Sequence, residues 1–390
     1  MVRTHYAMSL QRSLLLLNYE FPPLGGGAAN ATLFLARAMV LLGHHVTVIT
    51  SGLGNEQSRC IEEGIVVHRL ATRRVAPDRS TVGDMCRYIS AAMRSAPQIA
   101  RAERCDAVVA FFSIPSGIVA RWLLQRCALP YIVSLRGSDV PGHDRTLNRQ
   151  HAFTRPVRRA VLRRATAIIA NSASLAATSL AADPFPVRVI ANGVDCDLFH
   201  PAEPCVAHKK FRVLFVGRVH REKNLGVVIE QLPSLPDVEL IVAGDGAQRE
   251  ELAARAAILG VADQIRWLGW QQKAALPSLY RTADVLVNPS LYEGSPNVVL
   301  EAMASGLPTV ASDTPGNRSV VRPDVNGLLF PLDKPADLGA ALARLAGDRS
   351  LAARLGATSR ALALEEFSWR RAAESYLELL RNAKLKSPRL

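Results

Sequence analysis

The sequence predicts an α/β protein built as two successive doubly wound domains, and three observations carry that expectation. Short runs rich in Val, Ile and Leu recur with helical segments between them, apolar on both faces as strands of a covered parallel sheet must be. The 390 residues exceed the size at which a single core usually stops growing. The stretch "PAEPCVAHKK" at 201–210 then breaks the rhythm with two prolines and polar residues, and the rhythm restarts after it.

In the first half the strand candidates are "SLLLLNYEF", "HHVTVIT", "GIVVHRL", "DAVVAFF", "LPYIVSLRG", "ATAIIANS" and "VRVIANG". The glycines at 25–27 follow the first of these and open a helix over Ala28–Leu42. After the break come "FRVLFVGR", "DVELIVAGDG", "QIRWLGW", "ADVLVNPS", "LPTVASD" and "NGLLF", then a helix-rich, alanine-rich stretch at 336–366. In the tail, Trp369, Ala372, Ala373, Tyr376, Leu377 and Leu380 fall at helical spacing behind a cap at Ser368. Such a helix has one apolar face to bury, and the first domain is the surface expected to take it. The expected domains are therefore 1–203, 204–366 and the terminal helix 367–390.

With 49% hydrophobic and 21% charged residues the composition is that of a globular protein, and the net charge of +13 points to anionic partners: phosphates, nucleic acid or acidic lipid. Cys60, Cys86, Cys105, Cys127, Cys196 and Cys205 are scattered without a C-x-x-C pair, which argues against a zinc site or a disulfide framework and for reduced cytosolic thiols. The run "SLLLL" is shorter than the roughly 7–15 apolar residues of a signal-peptide core. No stretch approaches the roughly 18–20 apolar residues of a membrane span. The expectation is a cytoplasmic protein, either soluble or peripheral on the inner face of the plasma membrane.

The most informative stretch is "NPSLYEGSPNVVLEAMASGLPTVAS" at 288–312. Ser295 suits a helix cap and Pro296 the first helical position, and Gly306 suits the stop. The first turn, Pro296 through Val299, carries no acid although helix starts attract Asp and Glu, so its N–H groups are available to an external anion such as a phosphate. Glu293 lies ahead of this helix and Glu301 within it, both near the C-terminal edge of the preceding strand, where open α/β sheets bind ligands. A carboxylate accepts paired hydrogen bonds and so suits vicinal hydroxyls of a sugar or ribose. On these residues alone, two solvated surface glutamates remain the alternative. Earlier in the same half, "FVGRVHREKN" sets Arg218 and Lys223 after a buried strand and a glycine, at a spacing that lets two cations converge above the sheet edge.

Taken together, the two glutamates of "EGSPNVVLE", the "VGR" with its lysine five residues on, "NGVDCDLF" at 192–199 and the glycine-rich "EFPPLGGGAAN" resemble the retaining family-4 (group 1) glycosyltransferases over essentially the whole chain. The resemblance implies the GT-B architecture, two Rossmann-like doubly wound domains facing across a cleft, with a sugar nucleotide held mainly by the second. It implies that Glu301 binds the ribose hydroxyls and Glu293 those of the donor sugar. Backbone around Gly294, Ser295, Pro296, Asn297 and Val298 would meet the sugar and phosphates, while Arg218 and Lys223 neutralise the departing diphosphate. No metal and no cofactor beyond the donor are implied. The implied reaction moves a hexose or related sugar, with retention, to a glycan or lipid-linked acceptor in bacterial surface polysaccharide synthesis, such as lipopolysaccharide. A nucleotide-sugar isomerase and a non-catalytic sugar-nucleotide binder share the architecture and stay open.

Four further features complete the reading. Gly26 and Gly27 can bring backbone N–H groups close to a phosphate or simply make a turn; a dinucleotide site is disfavoured because the pattern is not G-x-G-x-x-G and "VITSG" ends the second strand without an acid. Asp195 and Asp197 read as a turn, and Asn192 either lines the site or serves that turn. Many members of the resembled family carry a histidine where this chain has Arg136, so Arg136 and nearby Asp139 are candidates for the acceptor or donor-sugar side. Finally, "RTLNRQHAFTRPVRRAVLRR" at 145–164 holds no acid. It reads as a surface helix, or as contact with an anionic membrane through Arg155, Arg158, Arg159 and Arg163. Nucleic acid is not expected, since no aromatic platform accompanies the charge.

Overall fold

Apolar runs fold here as strands covered on both faces: every residue of Ala107–Phe111 and of Tyr131–Leu135 is buried. The computed structural model describes residues 11–55, 57–76, 80–142, 147–201, 209–292 and 296–383. These fall into two units, Met1–Ala191 with Trp369–Leu390, and Asn192–Ser368.

The first unit runs β1 (Ser13–Leu17), α1 (Gly27–Leu41), β2 (His45–Leu53), β3 (Ser58–Glu62), β4 (Ile65–Arg74), α2 (Val82–Ala102), β5 (Ala107–Phe111), α3 (Gly117–Cys127) and β6 (Tyr131–Leu135). It continues through α4 (Asn148–Arg164), β7 (Ala167–Ala170), α5 (Ala173–Ala182) and β8 (Val187–Val189). Its sheet has the order β3-β4-β2-β1-β5-β6-β7-β8 and is parallel except for the β3–β4 hairpin. The hairpin was not foreseen, because "SRCIE" alternates half-buried and exposed residues and has no apolar face.

The second unit runs β9 (Phe211–Val216), α6 (Gly226–Ile229), β10 (Val238–Ala243), α7 (Arg249–Ile258), β11 (Ile265–Gly269), α8 (Leu276–Arg281) and β12 (Val285–Asn288). It ends with α9 (Asn297–Ala304), β13 (Thr309–Ser312), α10 (Pro315–Arg318), β14 (Gly327–Phe330), α11 (Pro335–Gly347) and α12 (Arg349–Glu366). The wholly parallel order β11-β10-β9-β12-β13-β14 is the doubly wound order of a dinucleotide-binding fold.

Helix α13 (Trp369–Ala383) belongs to the first unit. Ala372, Ala373, Tyr376, Leu377 and Leu380 are buried in that unit's core, Trp369 stacks on Phe34 at 5.7 Å, and the Tyr376 hydroxyl meets Ser134 Oγ at 2.7 Å.

The division between units falls at Ala191/Asn192, ahead of the expected boundary at 203/204. The reason is local: Val194 N–H donates to the Phe367 carbonyl (2.7 Å), Arg360 Nη1 donates to the carbonyls of Cys196 (3.0 Å) and Phe199 (2.9 Å), and Phe199 packs edge-on against Tyr280. Residues 202–208 of the expected linker lie outside the described residues. No helix among the described residues is long and apolar enough to cross a membrane.

Candidate functional site

In the second unit the strand order reverses between β9 and β12, and the loops leaving the C-terminal ends of these strands flank the place where open α/β sheets bind ligands. The loop after β9 carries both candidate cations. It is pinned to the end of β10 and the chain just after it by Gly217 N–H to the Ala243 carbonyl (3.1 Å) and Val219 N–H to the Asp245 carbonyl (2.9 Å). The approach is so close that a Cβ on Gly244 would sit 1.8 Å from the Gly217 oxygen, which is why glycine stands at 244. Arg218 projects from this pinned turn with its side chain 79% exposed and Glu222 3.9 Å away. Lys223 ends the short 3₁₀ turn Arg221–Lys223 and is half-buried.

Two hydrogen bonds fasten this loop to the one after β12. Asn224, in the left-handed region at φ +52°, donates from Nδ2 to the Pro289 carbonyl at 3.3 Å, and Leu291 N–H donates to the Glu222 carbonyl at 2.9 Å. Beneath them lies a buried polar network. Ser290 Oγ donates to Asn288 Oδ1 (2.9 Å), Asn288 Nδ2 to Asn317 Oδ1 (2.9 Å), and Asn317 Nδ2 to the Ser312 carbonyl (2.9 Å). Buried polar groups that satisfy one another hold a single loop geometry.

The second loop leads into α9, whose first turn carries no acid and no side-chain cap bond. Pro296 is the cap residue, at φ −81° and ψ 79°, and the helix starts at Asn297, one residue later than the sequence suggested. Its carbonyl takes the first helical bonds, from Val299 (3.0 Å) and Leu300 (3.2 Å), which leaves the N–H groups of Asn297 and Val298 at the anion-binding end. At the other end Gly306 at φ +75° and Leu307 close the helix by Gly306 N–H to Met303 O (3.0 Å) and Leu307 N–H to Ala302 O (2.9 Å), the glycine stop expected.

Glu301 lies on this helix, half-buried. Its Oε2 accepts a 2.9 Å hydrogen bond from the fully buried hydroxyl of Tyr280, which also reaches the Val298 carbonyl at 3.3 Å. Burial pushes the Glu301 carboxyl up to about 7, against the Tyr280 hydrogen bond and the positive charge of Lys273, which pull it down. Tyr280 and Lys273 were missed in the sequence. A buried tyrosine must satisfy its hydroxyl, and "LPSLYR" on a proline-started helix was the signal for such a partner.

Among the residues expected in this site, Arg218, Lys223, Pro296, Asn297, Val298 and Glu301 all stand on the two loops and the helix at the switch point. Glu293, Gly294 and Ser295 lie outside the described residues. Asn192 opens the second unit, half-buried. Asp195 forms a turn, its Oδ1 accepting from the N–H of Asp197 (3.2 Å) and of Leu198 (3.0 Å).

In the first unit the order reverses between β1 and β5. Gly26 and Gly27 open α1 at the end of the loop after β1, and a Cβ on either would meet nothing within 4 Å, so space is open beside them. Under Gly25 lies Glu20, whose carboxylate is 3.4 Å from the fully buried Arg74. Asp139 is engaged by backbone N–H groups. Its Oδ1 accepts from the N–H of Arg136 (2.9 Å) and Gly137 (3.2 Å), its Oδ2 from Ser113 N–H (2.6 Å), and it is 7% exposed. Arg136 lies over the Phe111 ring at 4.6 Å, and burial pushes its pKa down.

Residues 145 and 146 of the arginine-rich stretch lie outside the described residues; from Asn148 on it is the helix α4, where only part of the expected basic face turns outward. Arg158 is 3% exposed and bonds from Nε to Asp183 Oδ2 at 2.7 Å, while Arg159 lies 3.6 Å from the other oxygen of Asp183. The helix turns these two inward because Asp183, beyond α5, needs cations to offset its burial. Arg155 and Arg163 remain exposed.

Comparison with known proteins places these elements. Residues 26–193 match the "Glycosyl transferase 4-like domain" model and residues 200–362 the "Glycosyl transferases group 1" model. An uncharacterized glycosyltransferase of Methanocaldococcus jannaschii is 26% identical over 91% of this chain and 94% of its own length. D-inositol 3-phosphate glycosyltransferase of Xylanimonas cellulosilytica is 35% identical over 53% of this chain and 54% of its own, and the lipopolysaccharide core biosynthesis glycosyltransferase of Rhizobium meliloti is 33% identical over 43% and 49%. Against these two the chain matches only about half of the relative's length. Among solved structures, sucrose-phosphate synthase from Thermosynechococcus elongatus superimposes with a TM-score of 0.76 at 23% identity, over 97% of this chain and 100% of its own. Anabaena HepE, solved in complex with UDP, does so with 0.73 at 20%, over 95% and 100%. The shared fold is GT-B, made of two Rossmann-like units.

Proposed function

From a chain that belongs to the group 1 glycosyltransferases, we propose a retaining, metal-independent enzyme that moves a hexose or related sugar from a nucleoside-diphosphate sugar to a glycan or lipid-linked acceptor. The observation that carries the donor class is the pair of loops at the second unit's switch point, one bearing Arg218 and Lys223, the other leading to an acid-free helix start and Glu301. The cations and the N–H groups of Asn297 and Val298 suit a diphosphate, and Glu301 suits a ribose. HepE has been solved with UDP and UDP-glucose and a starch synthase with ADP, which supports a nucleotide at such a site and leaves the base open.

In the proposed reaction the bond from the anomeric carbon to the diphosphate oxygen breaks, and a bond to the acceptor hydroxyl oxygen forms on the same face. The acceptor proton passes to the departing phosphate oxygen. Arg218 and Lys223 stabilise the charge that develops there. The lipopolysaccharide core relative and the Escherichia coli galactosyltransferase acting on a diphosphoundecaprenol-linked sugar support a role in bacterial surface polysaccharide synthesis. We place that transfer in the cytoplasm, at an anionic membrane surface.

The test is turnover with UDP-, GDP- and ADP-sugars and a chelator present, with the product anomer read by NMR. Transfer with retention is expected. An inverted product would remove retention, loss of activity in chelator would remove metal independence, and conversion of the donor without acceptor would make the protein an isomerase.

A further inference from the structure

Helix α3 packs between α2 and α4 on one layer of the first unit, with Trp122 Nε1 donating to the Met93 carbonyl at 3.2 Å. Asp84 is the one acid on these three helices, and Arg87 and the cap of α2 occupy it. Between α3 and α4 lie two adjoining grooves of about 340 and 260 Å³. The first is lined by Arg121, Ala160, Arg163 and Arg164, and the second shares Arg121 and Ala160 and adds Ile118, Pro156, Val157 and Val161. Among the described residues no carboxylate pairs with Arg121, Arg163 or Arg164, and the buried Nε of Arg121 has no hydrogen-bond partner. On the far side of α3 a third groove, of about 550 Å³, carries Arg94, Arg101 and Arg126.

The spacing on α4 joins charge to apolar surface. Phe153, Val157, Ala160 and Arg164 follow one another at intervals of four, three and four, so they form a single stripe. Its outer end is bare: Phe153 is 88% exposed and Val157 47%. A groove with three uncompensated guanidiniums at one end and exposed apolar side chains at the other complements an anionic amphiphile, and both parts matter. Guanidiniums take phosphate oxygens by paired hydrogen bonds. A solvent-exposed phenylalanine on a basic helix suits the boundary between headgroups and acyl chains. Nucleic acid would use the charge and leave the apolar stripe in water.

We propose that the α3–α4 groove binds the phosphate of an anionic membrane phospholipid, with Phe153 and Val157 entering the acyl boundary. This rests on the membrane placement of the proposed function and gives it a site that keeps only Arg163 of the four arginines read in the sequence. Arg155 points to the opposite face of α4 and lies outside it.

The experiment is sedimentation of the full chain with phosphatidylcholine vesicles, with and without phosphatidylglycerol, near physiological salt. Wild type is expected to partition onto the anionic vesicles only. The triple variant Arg121→Gln, Arg163→Gln, Arg164→Gln should lose on the order of 100-fold in partitioning, since each basic side chain near the surface contributes about fivefold. Phe153→Ser should lose on the order of 10-fold, and Arg155→Gln under about 2-fold. Thermal melts guard against misfolding, and Phe153→Ser, fully on the surface, keeps the test open should the triple variant unfold. If wild type binds anionic vesicles and the groove variants bind equally well, the groove is overturned while the membrane placement stands. Indifference of wild type to lipid charge, or capture of duplex DNA in its place, overturns both.

Discussion

Tyr280 donates a 2.9 Å hydrogen bond to Glu301 Oε2, from a fully buried phenol to a carboxylate whose burial pushes its pKa up to about 7. The raised value means that the folded state holds a proton the unfolded chain releases at lower pH. That contribution to stability is complete below the usual carboxylate range and is lost as pH rises to about 7.

Glu301→Gln therefore stabilises the ligand-free protein at pH 8 by on the order of 2 kcal/mol, with the gain shrinking towards zero as pH falls to about 4.5. Denaturant midpoints across pH measure it. The same variant loses nucleoside diphosphate affinity, because glutamine does not offer two acceptor oxygens to a ribose. A gain independent of pH would show that Glu301 is not the buried acid described.

Arg218→Ala separates catalysis from folding. The side chain is 79% exposed, with its Glu222 partner 3.9 Å away, so the melting temperature should stay within about 1 °C of wild type. Loss of one charge facing the leaving diphosphate should lower kcat on the order of 100-fold. Steady-state kinetics beside a thermal melt decides between this and a surface arginine with no role.

Gly244→Ala tests the pinning of the Arg218 turn from the other side. The added Cβ would meet the Gly217 oxygen at 1.8 Å, so one of the two backbones must move. The expected cost is about 2–4 kcal/mol in stability, with a fall in activity that excess donor does not restore. Unchanged melting would mean the two turns are not held together.

Asp139→Ala distinguishes scaffold from acceptor contact. The N–H groups of Arg136, Gly137 and Ser113 lose their acceptor, for a destabilisation of about 2–4 kcal/mol by chemical denaturation. A raised KM for acceptor at unchanged stability would instead return Asp139 to the substrate side.

The second unit was more legible than the first for a physical reason. Its loops after β9 and β12 carry short-range patterns, a glycine before a cation and a proline before an acid-free turn, that act within a few residues of each other. Strand runs such as "SLLLL" and "DAVVAFF" were equally plain, since burial on both faces leaves no polar alternation. What stayed hidden depends on partners far along the chain. Tyr280 meets Glu301 across 21 positions, Arg158 meets Asp183 across 25, and Arg74 meets Glu20 across 54. The scaffold bonds of Asp139 stayed hidden too, because a loop carboxylate that organises backbone N–H groups has the same local sequence as one that faces substrate.

The most direct measurement is isothermal titration of wild type, Arg218→Ala and Glu301→Gln with UDP, GDP and ADP. The account predicts that wild type binds at least one of the three and that each variant weakens that binding by on the order of 10-fold or more. Absence of binding of all three by wild type, or undiminished binding in both variants, would contradict the placing of the nucleotide at the β9–β12 switch point.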